Sequence, residues 1–204
     1  NPRLQPYPSL AMQTIDDCDA LQYVQSMEID PDGKMWILDA GRKYVFDSVV
    51  PVDNSCPPKL LIWDIDTNTL ERVYVFPNDV ANYTNSLLDD LVIDYVNKVA
   101  YISDLFGWPF FGGIVTYDYY TNTSNRFADG VMSPDGKDAP GRTITINSYS
   151  VYTDSGQDGI ALSPDLKWIY FCPISSLRLY RVPAENVRKY QNDALGAIQF
   201  LGNR

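Results

Sequence analysis

The hydrophobic and polar positions of residues 25–42 predict a β-hairpin. Met27 and Ile29 alternate with polar neighbours. Pro31-Asp32-Gly33 has the composition of a turn, and residues 35–38 then form a short apolar run. Alternation, turn and second run together are typical of two antiparallel strands.

The same pattern returns twice along the chain, over residues 90–104 and residues 159–171. When the three copies are superposed on their alternating apolar positions, a lysine takes the same place in each, namely Lys34, Lys98 and Lys167. The spacing of the copies exceeds the roughly 40–50 residues of compact propeller repeats. We therefore expect long loops within each repeat.

A second hairpin-like pattern follows each copy, over residues 60–65, 113–119 and 177–182. Two hairpins per repeat make a four-stranded sheet, and a repeated four-stranded sheet is the unit of a β-propeller. The sequence therefore predicts an all-β protein, a β-propeller with about three four-stranded blades.

The predicted domain organisation is a single partial propeller over residues 1–204. Its parts are a lead-in or preceding blade at 1–24, blades at 25–77, 78–127 and 128–183, the last with a long connection, and the start of a further blade at 184–204.

Composition excludes several kinds of chemistry. The chain contains no histidine, which removes Ser-His-Asp and Cys-His catalysis and His-ligated metal sites. Chemistry must then rest on carboxylates, Tyr, Lys, Cys or backbone groups, and we expect no cofactor. The net charge is −10, with scattered Lys and Arg, so no nucleic-acid partner is expected. No apolar run approaches the length of a membrane span, so no membrane partner is expected.

Three cysteines allow one disulfide and leave one thiol. Cys172 lies in an apolar run, which favours a buried, inert thiol. A bridge between Cys18 and Cys56 is one possible pairing.

Several segments resemble the yellow/major royal jelly protein family in order and spacing across nearly the whole chain. They are residues 25–42, 56–64, 100–104, 113–118, 159–164, 170–176 and 180–183. The chain departs from the family at Pro31-Asp32-Gly33, where insect members often carry the cysteine that partners the counterpart of Cys56.

The resemblance implies a secreted six-bladed propeller of roughly twice this length. By that comparison the chain lacks the first blade and about the last two, as a fragment or a shortened homologue. The sequence begins at Asn1 without a charged and apolar leader, so any signal peptide is expected to have been removed or to lie outside this chain. Family activities divide among dopachrome isomerisation, capture of biogenic amines in the central channel, and nutritive or assembly roles. No catalytic motif is shared that would transfer residue by residue.

The candidate site follows from propeller geometry. Ligands usually meet the residues just before the innermost strand of each blade. Aligning the repeats places Gln25, Asp89, Asp90 and Asp158 there. These carboxylates could attract a cationic amine or hold a metal through oxygen ligands.

The glycine-rich loop at residues 105–113 carries Phe106, Trp108 and Phe110, which could supply a wall for an aromatic ring. The alternative is structural: the Asp residues cap the blade tops by bonding to backbone N–H groups. Asp39 and Asp104, which end the second strand of their hairpins, are expected to stabilise turns.

Three functions remain open. A propeller that binds small aromatic amines needs only the carboxylates and aromatic rings, and is favoured. A dopachrome isomerase needs in addition an Asp of raised pKa or a Tyr to move a proton. A metal-dependent lactonase needs three or four converging oxygen ligands, for which the chain offers only the three Asp residues.

The family resemblance also suggests secretion. Asn82 and Asn122 begin glycosylation acceptor motifs in turn contexts. Three blades without a closed ring would leave open, apolar sheet faces, so self-association through these faces is expected.

Overall fold

The structure is a computed structural model that describes residues 3–107, 111–136, 139–189 and 196–203. The chain divides into two compact units, Asn1–Phe76 and Pro77–Arg204. The described residues form antiparallel sheets with little helix, so the prediction of an all-β fold is confirmed. None of the described helices has the length and apolarity that crossing a membrane requires.

The first unit contains one four-stranded sheet in which the strands pair in chain order. Its strands are β1 (Val24–Ile29), β2 (Lys34–Asp39), β3 (Lys59–Asp64) and β4 (Thr69–Val75). The β1–β2 hairpin is the one predicted from residues 25–42. Gly33 supplies its turn with a φ of +73°, a conformation that favours glycine.

In its described residues the second unit contains two such sheets and one separate hairpin. The second sheet is β5 (Leu88–Asp94), β6 (Val99–Asp104), β7 (Gly113–Asp118) and β8 (Thr123–Phe127); the hairpin is β9 (Thr143–Ile146) and β10 (Tyr149–Tyr152); the third sheet is β11 (Gln157–Leu162), β12 (Trp168–Pro173), β13 (Arg178–Pro183) and β14 (Gln199–Asn203). A short helix, α1 (Ala184–Arg188), follows β13.

The third sheet corrects one predicted boundary. Residues 184–204 were expected to start a further blade, but β14 pairs with β13 and completes the third sheet. The chain leaves β13 through α1 and returns antiparallel, so a helix and a long connection separate two neighbouring strands.

A buried cluster joins the second and third sheets. It includes Tyr101, Ile114, Met132, Phe171 and Val182, all almost fully buried. β11 packs against β5 and β6. The first strands of these two sheets, which carry the acidic residues singled out above, are therefore neighbours.

Candidate functional site

The first strand of each four-stranded sheet in the described residues carries a bulge at the same place in the repeat. The pairing register shifts between Val24 and Ser26 in β1, between Leu88 and Leu91 in β5, and between Gln157 and Gly159 in β11. In each case the first strand has one residue more than its partner. The predicted site residues Gln25, Asp89, Asp90 and Asp158 lie within these bulges. Bulges redirect side chains and are frequent beside functional sites.

In the second unit the structure brings Asp89 and Asp158 together. Their carboxyl groups are hydrogen-bonded to each other, and both residues are half-buried. The pKa of Asp89 is raised to about 8. Burial is the largest cause, followed by the hydrogen bond to Asp158 and the charges of Asp158 and Asp90. Since two adjacent carboxylates resist double ionisation, the pair holds a proton at neutral pH.

Asp90 takes a different role in the same bulge. Its backbone N–H donates to the Ser103 hydroxyl at 3.0 Å, and its carboxylate accepts from the N–H of Leu91 at 2.8 Å. The backbone bonding expected of a structural Asp is thus present here, while the charge of Asp90 still acts on Asp89. Gln25 is half-buried in its bulge in the first unit.

The glycine-rich loop at residues 105–113, called the aromatic loop below, contacts the segment that leads into β11 through its described residues, 105–107 and 111–113. The N–H of Gly156 donates to the Leu105 carbonyl at 3.0 Å. A side chain at Gly112 would lie 2.6 Å from the backbone nitrogen of Gln157, so only glycine fits this approach. Phe106 meets Phe111 edge to face, with ring centroids 6.4 Å apart. Aromatic surface and the Asp158 bulge therefore lie at the same end of the third sheet. Trp108 and Phe110 lie outside the described residues.

Gln157 is a candidate that the sequence analysis missed. It is fully buried in the bulge directly before Asp158. Its Nε2 donates to the Gly159 carbonyl at 2.8 Å, but its Oε1 has no hydrogen-bond partner among the described residues. A buried acceptor without a partner is costly, and such atoms commonly bond to a ligand or a water molecule. Its place beside Asp158 was visible in the sequence, whereas its burial was not.

Asp39 and Asp104 are buried structural residues. Asp39 lies 2.9 Å from the Nζ of Lys59, and Asp104 lies 2.7 Å from a guanidinium nitrogen of Arg126. Asp39 also accepts backbone N–H groups of the preceding segment, including that of Tyr23. The sequence analysis expected turn-stabilising roles but did not find these ion pairs, whose partners are distant in the chain.

Cys18 and Cys56 form a disulfide. Cys172 takes no part in the disulfide and is half-buried, so the expectation of a buried thiol is wrong. Its neighbour across the strands is Gly159, where an added Cβ would lie 2.9 Å from the sulfur.

No three His, Cys, Asp or Glu side chains converge as a metal site within the described part of the chain. The lactonase interpretation therefore gains no support from these residues. Asn122 is exposed and Asn82 half-buried, and both lie in or beside turns. The Oδ1 of Asn82 accepts from the Thr84 hydroxyl at 2.7 Å.

A separate cleft of about 370 Å³ lies between β6 and α1 and is lined by Asp94, Tyr101, Trp168 and Arg188 among others. Asp94 is held by the N–H groups of its own turn, at Val96 and Asn97. It ends β5, whereas Asp89 lies at the start of that strand. The cleft is thus distinct from the acidic pair.

Comparison with known proteins agrees with the predicted resemblance. The family model "Major royal jelly protein" matches residues 22–203. The chain is 30% identical to major royal jelly protein 1 of Apis mellifera, over 94% of this chain and 44% of that protein. It is 27% identical to protein yellow of Drosophila madeirensis, over 92% of this chain and 33% of that protein. The chain spans less than half the length of these relatives.

Among solved structures, the hydrazine synthase of Kuenenia stuttgartiensis matches with a TM-score of 0.51 at 11% identity, over 86% of this chain and 48% of that chain. At this identity the match concerns the fold alone, and it agrees with the predicted β-propeller; the number of blades stays a prediction. The family match covers nearly the whole sequence, and the chain belongs to the major royal jelly protein family.

Proposed function

We propose that this protein binds a small aromatic amine in the propeller channel, with Asp89 and Asp158 as the charged contact. The observation that carries the proposal is the hydrogen-bonded carboxyl pair on neighbouring inner strands. A site that holds two acidic groups at the cost of a raised pKa is typical of function rather than of stability. A protonated amine would replace the shared proton as the positive partner of the pair.

The aromatic loop is the proposed contact for the aromatic ring of the ligand. Phe106 and Phe111 present aromatic surface next to the start of β11. Aromatic rings attract each other in edge-to-face and offset contacts. An arylalkylamine would therefore pair its ammonium with the carboxylates and pack its ring against the aromatic surface. The unpaired Oε1 of Gln157 adds an acceptor for a ligand N–H or O–H group.

Replacing Asp158 by Asn is expected to weaken binding of a protonated arylalkylamine such as dopamine by tenfold or more. The variant loses a charge-assisted hydrogen bond worth about 1–3 kcal/mol. Calorimetry with the full-length protein measures the loss, and a neutral analogue of the same ring should bind both proteins with similar, weaker affinity.

Asp165→Asn is the matched control. Asp165 lies in the turn between β11 and β12, at the other end of the hairpin from Asp158, and its carboxylate accepts a hydrogen bond from the N–H of Lys167. Dopamine affinity should be unchanged in this variant. Equal losses in both variants, or no amine binding by the unaltered protein, would contradict the proposal.

Dopachrome isomerisation is the second candidate, favoured by one specific observation. With its pKa raised to about 8, the Asp89 carboxyl can both donate and accept a proton near neutral pH. Dopachrome decay should be followed in the same variants. If the unaltered protein accelerates dopachrome decay over the rate without protein, and Asp89→Asn does not, the result would favour an isomerase over a binding protein.

We also propose that the protein is secreted and glycosylated, as its family membership suggests. Asn82 and Asn122 are the acceptors. Mass spectrometry of the natural full-length protein should find glycans on one or both. A protein that remained in the cytosol would contradict this proposal.

A further inference from the structure

The second sheet holds a buried ion pair beneath the aromatic loop. Asp104 ends β6 and Arg126 lies in β8, and their side chains are 0% and 9% exposed. One guanidinium nitrogen of Arg126 lies 2.7 Å from the Asp104 carboxylate. The other donates to the carbonyl of Gly112, a residue of the aromatic loop, at 3.3 Å. Arg126 thus links the end of β6 to the backbone of the aromatic loop.

Two glycines of the aromatic loop leave the space that this guanidinium occupies. A Cβ at Gly107 would overlap the guanidinium of Arg126, and a Cβ at Gly113 would lie 2.7 Å from its Nη2. Real side chains do not approach so closely, so glycine is needed at both positions while the arginine stays in place. The loop backbone and the arginine are therefore complementary in shape.

The corresponding ion pair of the first sheet is built differently. Asp39 takes the position of Asp104 there, and the residue paired with Asp39 across the strands is Lys59, which supplies the positive charge. In the second sheet the residue paired with Asp104 is Gly113. The charge comes instead from Arg126 on β8, which reaches under the loop. Neutralising the aspartate needs only the first arrangement, so the second indicates an added role for the arginine.

Asp104 connects the aromatic loop to the strand that carries Asp89. Its Oδ1 accepts from the N–H of Phe106 at 3.2 Å and from the N–H of Leu87 at 2.9 Å. Leu87 directly precedes β5, and Asp89 lies two residues further on. One carboxylate therefore fixes the backbone of an aromatic residue of the loop and the start of the strand with the acidic pair.

We propose that Arg126, together with Asp104, positions the aromatic loop for the ring of the ligand and so determines selectivity for ring-bearing amines. The inference rests on the proposed function, because it assigns ring recognition to the same site. Arg126 acts through the loop backbone and is a positioning residue. Its planar fork of N–H groups reaches Asp104, Gly112 and the carbonyl of Val80 at once, the last at 3.2 Å. A lysine ammonium does not reproduce this fork.

Arg126→Lys tests the proposal, since lysine keeps a positive charge beside Asp104 and so avoids an unpaired buried carboxylate. The first measurement is amide hydrogen exchange of the unliganded full-length protein, resolved by fragmentation in mass spectrometry. We expect the amides of residues 105–107 and 111–113 to exchange about tenfold faster or more in the variant, because the loop opens locally. Residues 99–103 and 115–118, in β6 and β7, should be unchanged.

Arg181→Lys is the matched control, the same substitution on β13. The guanidinium of Arg181 lies over the Trp168 ring, 4.1 Å from its centroid, and donates to Gln199 at 3.0 Å. These partners belong to the third sheet. Exchange in the aromatic loop should therefore be the same in Arg181→Lys as in the unaltered protein.

The second measurement is calorimetry of the same proteins with dopamine and with butylamine. Both carry an ammonium group, but only dopamine carries an aromatic ring. We expect Arg126→Lys to weaken dopamine binding about fivefold or more and butylamine binding less than about twofold, because only the ring contact is lost. Damage to the fold or to the acidic pair would instead weaken both amines alike.

Loop exchange that is unchanged in Arg126→Lys, or that rises equally in β6 and β7, would overturn the proposal. Equal losses for the two amines would also overturn it. If the unaltered protein bound neither amine, the proposed function and the selectivity that rests on it would both fail. The exchange result would still decide by itself whether Arg126 positions the loop.

Discussion

Replacing Lys59 by Met is expected to lower the free energy of unfolding by about 3–5 kcal/mol, since it leaves a buried carboxylate without its partner. Lys59 and Asp39 are 1% and 0% exposed in their side chains, and their charged groups lie 2.9 Å apart. The Lys59 ammonium also donates to the carbonyls of Cys18 and Ala20. One side chain thus links β3 to β2 and to the segment before β1.

Lys34→Met is the matched control within the same sheet. Lys34 contacts Asp64 and Glu71, but its side chain is 27% exposed, so water replaces much of the lost interaction. The expected cost is much smaller than that of Lys59→Met, because exposed ion pairs contribute little to stability. Urea unfolding followed by circular dichroism measures both variants. Similar costs for the two lysines would contradict the account, and Asp39→Asn combined with Lys59→Met should recover part of the loss.

Removal of the Cys18–Cys56 disulfide is expected to lower the free energy of unfolding by about 4 kcal/mol. The bridge closes a segment with a sequence separation of 38 residues, and releasing it adds conformational freedom mainly to the unfolded chain. Cys56 is fully buried, whereas Cys18 is exposed. The Cys18→Ser/Cys56→Ser variant tests the effect by the same urea titration.

Cys172→Ser is the control for this experiment. Cys172 is half-buried and takes no part in the bridge, so serine should cost much less than loss of the bridge. Reducing agent should lower the stability of the unaltered protein toward that of the double variant and leave the double variant unchanged. A double variant as stable as the unaltered protein would show that the bridge does not constrain the chain.

The fold class could be predicted because its signals are local. Each hairpin combines alternation with a turn, as in residues 25–42, and the repeat of that pattern indicates a propeller. The end of the third sheet could not be found in this way. β13 and β14 are neighbours in the sheet but are separated by α1 and a connection, and strand pairing across such a gap leaves no local pattern.

Part of the candidate site could be predicted from the sequence. Asp89 and Asp158 were found because aligning the repeats places both near the start of the innermost strand, where the structure has a bulge in each repeat. Their mutual hydrogen bond and the burial of Gln157 depend on how two sheets pack, which repeat alignment does not contain. The partners of Asp39 and Asp104 were missed for a different reason: each lies in the same sheet, but on a strand further along the chain.

The central claim is that a cationic ligand takes the place of the proton on the Asp89–Asp158 pair. At pH 7 the Asp89 carboxyl is protonated, because its pKa is raised to about 8. A bound ammonium stabilises the ionised form, so binding should expel this proton. As pH rises through 8 the proton is already gone, and the affinity for a still-protonated amine should increase.

Calorimetry of dopamine binding to the full-length protein at pH 7, in two buffers of different ionisation enthalpy, measures this exchange directly. The account predicts release approaching one proton per amine for the unaltered protein and none for Asp89→Asn. Dopamine binding without proton release at pH 7, or release that persists in Asp89→Asn, would contradict it.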